Sequence, residues 1–84
     1  MPEEKIKKEL DKRLKCREIH SNLIRNGVAY LGSKGSHGKY TKIIDERTVM
    51  DIIPCHGPGD EKSAQLVKKV REKFRISYED FYNC

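Results

Sequence analysis

"VAYLGSKGSHGKYTKIIDERTVMDIIP", residues 28–54, decides the fold. It holds three β-prone runs, at 28–31, 40–44 and 48–54, rich in β-branched and aromatic residues and separated by turn formers. The glycine- and serine-rich stretch from Gly32 divides the first two runs, and "DER" at 45–47 divides the second from the third. Pro54 stops the last run because it has no N–H to give a strand ladder. Joined by tight turns, the three runs form an antiparallel sheet that needs only one face covered.

Helical patterns lie on either side. Ile6, Leu10 and Leu14 repeat at four-residue spacing, and Ile19, Leu23 and Ile24 continue the period after a small phase shift at Cys16. A helix is expected over 3–25, ended by Asn26-Gly27. Its first part, "EEKIKKELDKR", is so heavily charged that it reads as a solvated extension with ion pairs such as Glu4 with Lys8. After the "CHGPGDE" loop at 55–61, a second helix is expected from Glu61 to Lys73, with Leu66, Val67, Val70 and Phe74 on one face and Asp60 available as its cap. "SYEDFYN" predicts one or two closing turns, with Ser77 and Asp80 spaced as a variant capping box and Phe81 as the anchor. The expected fold is α+β, in the order α-β-β-β-α, with a three-stranded antiparallel sheet covered on one face by two helices. Double-stranded-RNA-binding domains share this architecture. A single domain spans 1–84, with 1–15 as the charged helical extension and 16–82 as the core.

At 84 residues and 36% apolar composition, the chain can fill a thin two-layer core, so a shallow surface site is expected. Lys and Arg outnumber Asp and Glu by 18 to 13, giving +5, which favours an anionic partner such as a nucleic acid or an acidic protein face. No stretch approaches the roughly 18 apolar residues of a membrane span, and no membrane partner is expected. The amino-terminal segment alternates acid and base and does not read as a signal peptide. Cys16, Cys55 and Cys84 are odd in number and irregular in spacing, so reduced thiols and a cytoplasmic location are expected.

Within "GSKGSHGKY", residues 32–40, the glycines match neither a Walker A loop nor a dinucleotide fingerprint. They read as permitting a sharp reversal or a bulge. His37 is the side chain there able to move a proton near neutral pH, and Lys34 and Lys39 flank it as phosphate attractors. Ser36 and free backbone N–H groups offer donors to a non-bridging oxygen, and Tyr40 offers a stacking face or a phenolic donor. RNA carries its own nucleophile, the 2′-hydroxyl, so this set suffices for cleavage without metal or cofactor. Taken singly, His37 reads equally well as a surface histidine in a turn. If "DER" closes a hairpin, His37 lies opposite residues 54–56, which makes His56 a candidate second acid or base. The register stays open at this point, and a loop hydrogen bond is the plainer role for His56.

"GSKGSHGKY", then a strand ending in "IIPCHGPGDE", then "SAQLVKKVREKF" and "ISYEDF" together resemble the HicA toxin family over about residues 16–81. The resemblance implies a double-stranded-RNA-binding-like fold and an mRNA interferase, the ribonuclease toxin of a toxin–antitoxin system. It implies catalysis by His37, with Gly35 and Ser36 completing the motif, and a HicB-like antitoxin as partner. Position 38 is glycine where many members carry a second histidine or a bulky residue. The segment 1–15 also lies outside the usual compact domain, and a homo-oligomer or partner contact is the alternative to its solvated reading.

Two other classes remain in view. A non-catalytic RNA-binding module would use the same fold and basic surface without cutting. A structural metal would draw on Cys16, His20, Cys55 and His56, although adjacent Cys-His is a poor ligand spacing. The basic stripe in "KKVREKFR" reads as the outer face of an amphipathic helix, with phosphate tracking as its functional alternative.

Overall fold

The computed structural model describes residues 10–82. In chain order the elements are β1 (Leu14–Lys15), α1 (Cys16–Arg25), β2 (Ala29–Lys34), β3 (His37–Ile44), β4 (Arg47–Pro54), β5 (Glu61–Lys62), α2 (Ala64–Lys73) and α3 (Tyr78–Tyr82). The main sheet is antiparallel with strand order β2-β3-β4, and β1 pairs with β5 in a separate two-stranded ribbon. The α+β class and the three-stranded antiparallel sheet are as the sequence predicts.

Both hairpins turn on two residues. Asp45 and Glu46 take φ 52° and 67°, the left-handed pair of a type I′ turn whose twist suits the flanking strands. Gly35, at φ 62°, lets the chain reverse between Lys34 and His37. The reversal is therefore shorter than the glycine-rich stretch implies, and β3 starts at His37 rather than Tyr40. Gly32 serves the expected bulge: the register shifts between Tyr30 and Gly32, where Gly32 has φ 100°. Along β3 and β4, His37 faces Pro54 and Ile44 faces Arg47, which fixes His37 within the expected window.

Strand alternation then sorts the side chains. Gly38, Tyr40 and Ile53 turn toward the helices and are buried. Tyr40 and Ile53 join Ile19 and Leu23 of α1, Val67 and Val70 of α2, Phe74 just after it, and Phe81 of α3 in one core. On the opposite face Lys39, Ile43, Met50 and Ile52 are exposed, so that side of the sheet is open. Phe81 is fully buried and the Asp80 N–H donates to Ser77 Oγ at 3.1 Å, as the closing motif predicts.

The helix boundaries need correcting. Residues 3–9 of the expected first helix lie outside the described residues, and 10–13 have no regular structure. The phase shift at Cys16 marks the true start of the helix. Leu14-Lys15 is drawn into pairing with Glu61-Lys62, and the Cys16 N–H donates to the Asp60 carbonyl at 2.7 Å. Glu18 Oε1 accepts the Lys15 N–H at 2.8 Å, which closes the helix end. The same pairing delays α2 to Ala64. Ser63, rather than Asp60, caps it by accepting the Leu66 N–H at 3.2 Å. Asp60 instead holds the His56 N–H at 3.0 Å and the Lys62 ammonium at 2.9 Å.

Of the charged extension, residues 1–9 lie outside the described residues, and at 10–13 Asp11 is docked rather than solvated. Arg71 grips Asp11 with two N–H donors, each at 2.9 Å, and the Tyr82 hydroxyl donates to the same carboxylate at 2.7 Å. Arg71 thus leaves the basic stripe expected on the last long helix, and Arg75 pairs with Asp45 at 2.7 Å. Burial pushes the Asp11 carboxyl up, but the hydrogen bonds and charge of Arg71 and the Tyr82 hydroxyl outweigh it and hold it below the usual Asp value. A depressed carboxyl contributes stability above its unfolded value, near pH 4, and loses it as pH falls through the lower folded value. Asp11→Asn is expected to lose about 1.5–3 kcal/mol in urea unfolding at neutral pH. That loss should shrink toward pH 3. An equal loss at both pH values would separate the acid sensitivity from this pair.

Candidate functional site

His37 opens β3 and forms the pair with Lys34 that closes the first hairpin. Its neighbour on the other side is Pro54. Both His37 and Lys34 are exposed. Lys39, two residues along and exposed, shares the face of His37 because successive β residues alternate. One imidazole and two ammonium groups therefore converge on the open side of the sheet, at the end where Gly35 and Ser36 turn the chain. The corner can hold a phosphate by charge while keeping a proton carrier within reach.

Tyr40 is not part of that corner. Being an odd number of residues from His37, it points toward the helices, where it is 6% exposed. Its hydroxyl lies 2.8 Å from His20 Nδ1. Burial, helped by Tyr30, pushes the phenol up to about 12, so it keeps its proton and can donate it to the imidazole. His56 also departs from His37. Pro54 shares the face of His37, Cys55 turns inward, and His56 reaches a cleft that His37 does not line. The register falls where the sequence places it, yet the two histidines serve different surfaces.

That cleft has a volume of 740 Å³ and lies between α1, the first hairpin and the loop at 55–58. Its aromatic wall is a cluster of three rings. His20 sits edge-on to Tyr30 and Tyr40 with centroids 5.0 and 5.6 Å away, and the two tyrosines are 5.0 Å apart. Gly38 keeps the wall open: a Cβ there would stand 3.4 Å from both tyrosine rings. Arg17, Ser21, Ser36 and His56 supply polar groups, and among the described residues no carboxylate lines the space. Gly35 and Ser36 face this cleft, so the turn that presents His37 on one side builds the cleft on the other.

Cys16 and Cys55 are joined by a disulfide, with S–S 2.11 Å and Cα–Cα 6.2 Å. This corrects the expectation of reduced thiols. It also removes two of the four imagined metal ligands, because their sulfurs are bonded to each other. Among the described residues no group of three or more His, Cys, Asp or Glu side chains is arranged to hold a metal. The bridge joins the start of α1 to the end of β4, and both cysteines line the cleft.

Sequence reasoning missed Tyr30 and Arg17, and weighed His20 only as a metal ligand or as part of the helix face packed on the sheet, not as part of a site. The available signal was weak: His20 follows Cys16 by one helical turn, and Tyr30 stands two residues before the first glycine of the stretch. Neither spacing reveals that α1 lies across β2 and β3.

The fold and site together define a class, a small α+β protein with a cationic histidine corner backed by an aromatic cleft. Compared with known proteins, the chain matches no family model, no curated protein and no solved structure. No helix among the described residues is long and apolar enough to cross a membrane.

Proposed function

We propose that this chain is a HicA-like endoribonuclease, an mRNA interferase in which His37 carries the proton. The observation that supports this most is the exposure of His37 on the open sheet face, paired with Lys34 and followed on that face by Lys39. A phosphodiester bound between the two ammonium groups places a ribose beside the imidazole. Neutral His37 takes the proton from the 2′-hydroxyl, whose oxygen attacks phosphorus. The P–O5′ bond breaks, leaving a 2′,3′-cyclic phosphate, and the departing 5′-oxygen takes up a proton. Lys34 and Lys39 stabilise the charge that builds on the non-bridging oxygens.

On the same reading a HicB-like antitoxin is the protein partner, and the location is cytoplasmic, where the transcripts are. A reducing compartment would tend to open the Cys16–Cys55 bridge, so its weight in folding becomes a separate question. Purified protein incubated with single-stranded RNA and a chelator is expected to give fragments with 2′,3′-cyclic phosphate and 5′-hydroxyl ends. RNA that is retained but intact would identify a non-catalytic RNA-binding module instead.

A further inference from the structure

We infer that the cleft behind the His37 hairpin holds one unstacked nucleobase of a single-stranded RNA, next to the phosphodiester at the corner. This rests on the RNA-binding part of the proposed function and adds a base-binding subsite on the opposite side of the same hairpin.

The placement comes from strand alternation. Ser36 and Gly38 flank His37 in sequence, and both line the cleft. His37 faces the other way. A strand whose phosphate sits between Lys34 and Lys39 therefore passes the two-residue tip formed by Gly35 and Ser36 and meets the cleft directly. At the tip itself Gly35 has no side chain and Ser36 only a small one.

The chemistry of the cleft fits a base. Bases released from a stack are bound on aromatic faces, and their polar edges are met by side-chain donors and acceptors. Tyr30 is 43% exposed, so its ring is accessible, and it packs against His20 and Tyr40. His20 is held in place by its hydrogen bond to the Tyr40 hydroxyl, so the wall is organised before any ligand arrives. Ser21 and His56 offer polar groups for a base edge, and the exposed Arg17 guanidinium is suited to the next phosphate. The absence of carboxylates from the lining suits an anionic chain. A base paired within a duplex cannot enter such a space without leaving its stack, so single strands are selected.

The test uses the full chain carrying His37→Ala, so that RNA survives, and reads affinity by fluorescence anisotropy. The probes are a short labelled single-stranded RNA, versions with one abasic site moved through each position, and the complementary duplex. An abasic site at one position is expected to weaken binding about tenfold, with smaller effects elsewhere, and the duplex should bind more weakly than the single strand. Adding Tyr30→Ala should cost the intact RNA about the same factor and erase the difference between intact and abasic RNA. Tyr30→Phe should keep that difference. The abasic series needs no change at Tyr30, so the result does not depend on how that variant folds.

Equal affinities across the abasic series, or full discrimination retained by Tyr30→Ala, would overturn the subsite. Cleavage by unmodified protein without base discrimination removes the subsite and leaves the nuclease. Coupling between Tyr30 and one base without any cleavage does the reverse. Failure to bind RNA at all removes both.

Discussion

Replacing His37 by alanine is expected to lower the rate of the proposed RNA cleavage by about 10²–10⁴-fold, the usual contribution of a positioned general acid or base. RNA affinity is expected to fall by less than about tenfold, because phosphate attraction resides mainly in lysine and arginine side chains. The separation follows from the geometry. His37 is exposed at the hairpin-closing pair, and Lys34 and Lys39 reach the same face without depending on it. Removing the imidazole also leaves no buried partner unsatisfied, so stability should be nearly unchanged. Single-turnover cleavage and equilibrium binding, measured on the same RNA, read the two effects separately. A variant that cuts at the unmodified rate would remove His37 from the chemistry. One that neither cuts nor binds would make it a binding residue. A cleavage defect shared by His56→Ala would be unexpected, since His56 belongs to the cleft on the other side.

Opening the Cys16–Cys55 bridge, by reduction or by Cys16→Ser with Cys55→Ser, is expected to lower folding stability by about 2–4 kcal/mol. The two cysteines are 39 residues apart, and that span contains the whole three-stranded sheet. Closing so long a loop restricts the unfolded chain strongly, and the bridge also holds α1 against the end of β4. A domain of this size has only about 5–15 kcal/mol in total, so the melting midpoint should drop by roughly 10–25 °C. Urea unfolding of the oxidised, reduced and double-serine forms gives the comparison. Coincident curves for oxidised and reduced protein would mean that the bridge carries no stability. Because both cysteines line the cleft, the reduced form also tests whether the aromatic wall keeps its arrangement without the covalent tie.

Much of the sheet was legible in the sequence because its determinants are local. "DER" at 45–47 between two apolar runs specifies a tight reversal that confines the partner of His37 to residues 54–56, and the structure, turning on Asp45-Glu46, makes that partner Pro54. The period of Leu66, Val67, Val70 and Phe74 likewise identifies the buried face of α2. Helix starts were less legible. Leu14 fits a helical period equally well, and only its distant pairing with Lys62 makes it a strand residue. The glycine-rich stretch read as either a reversal or a bulge because glycine permits both, and the backbone uses it for both.

The corner formed by His37, Lys34 and Lys39 was visible for the same local reason: the three are neighbours in the chain. The aromatic cleft was not. His20 comes from α1, Tyr30 from β2 and Tyr40 from β3, and their rings meet only once α1 has crossed the sheet. Tyr40 shows the limit most clearly, since alternation sends it away from the histidine it follows so closely in sequence.

By itself, the order of residues determined the three main strands to within a few positions, the turns between them, a narrow window for the register and the apolar faces, because each depends on backbone preference and periodicity over a few positions. Tertiary structure alone decided where α1 begins, that Cys16 meets Cys55, that Asp11 meets Arg71 and Tyr82, and that His37 and His56 part company. Those outcomes depend on which faces lie together after residues far apart in the chain have packed, and no short-range pattern encodes that.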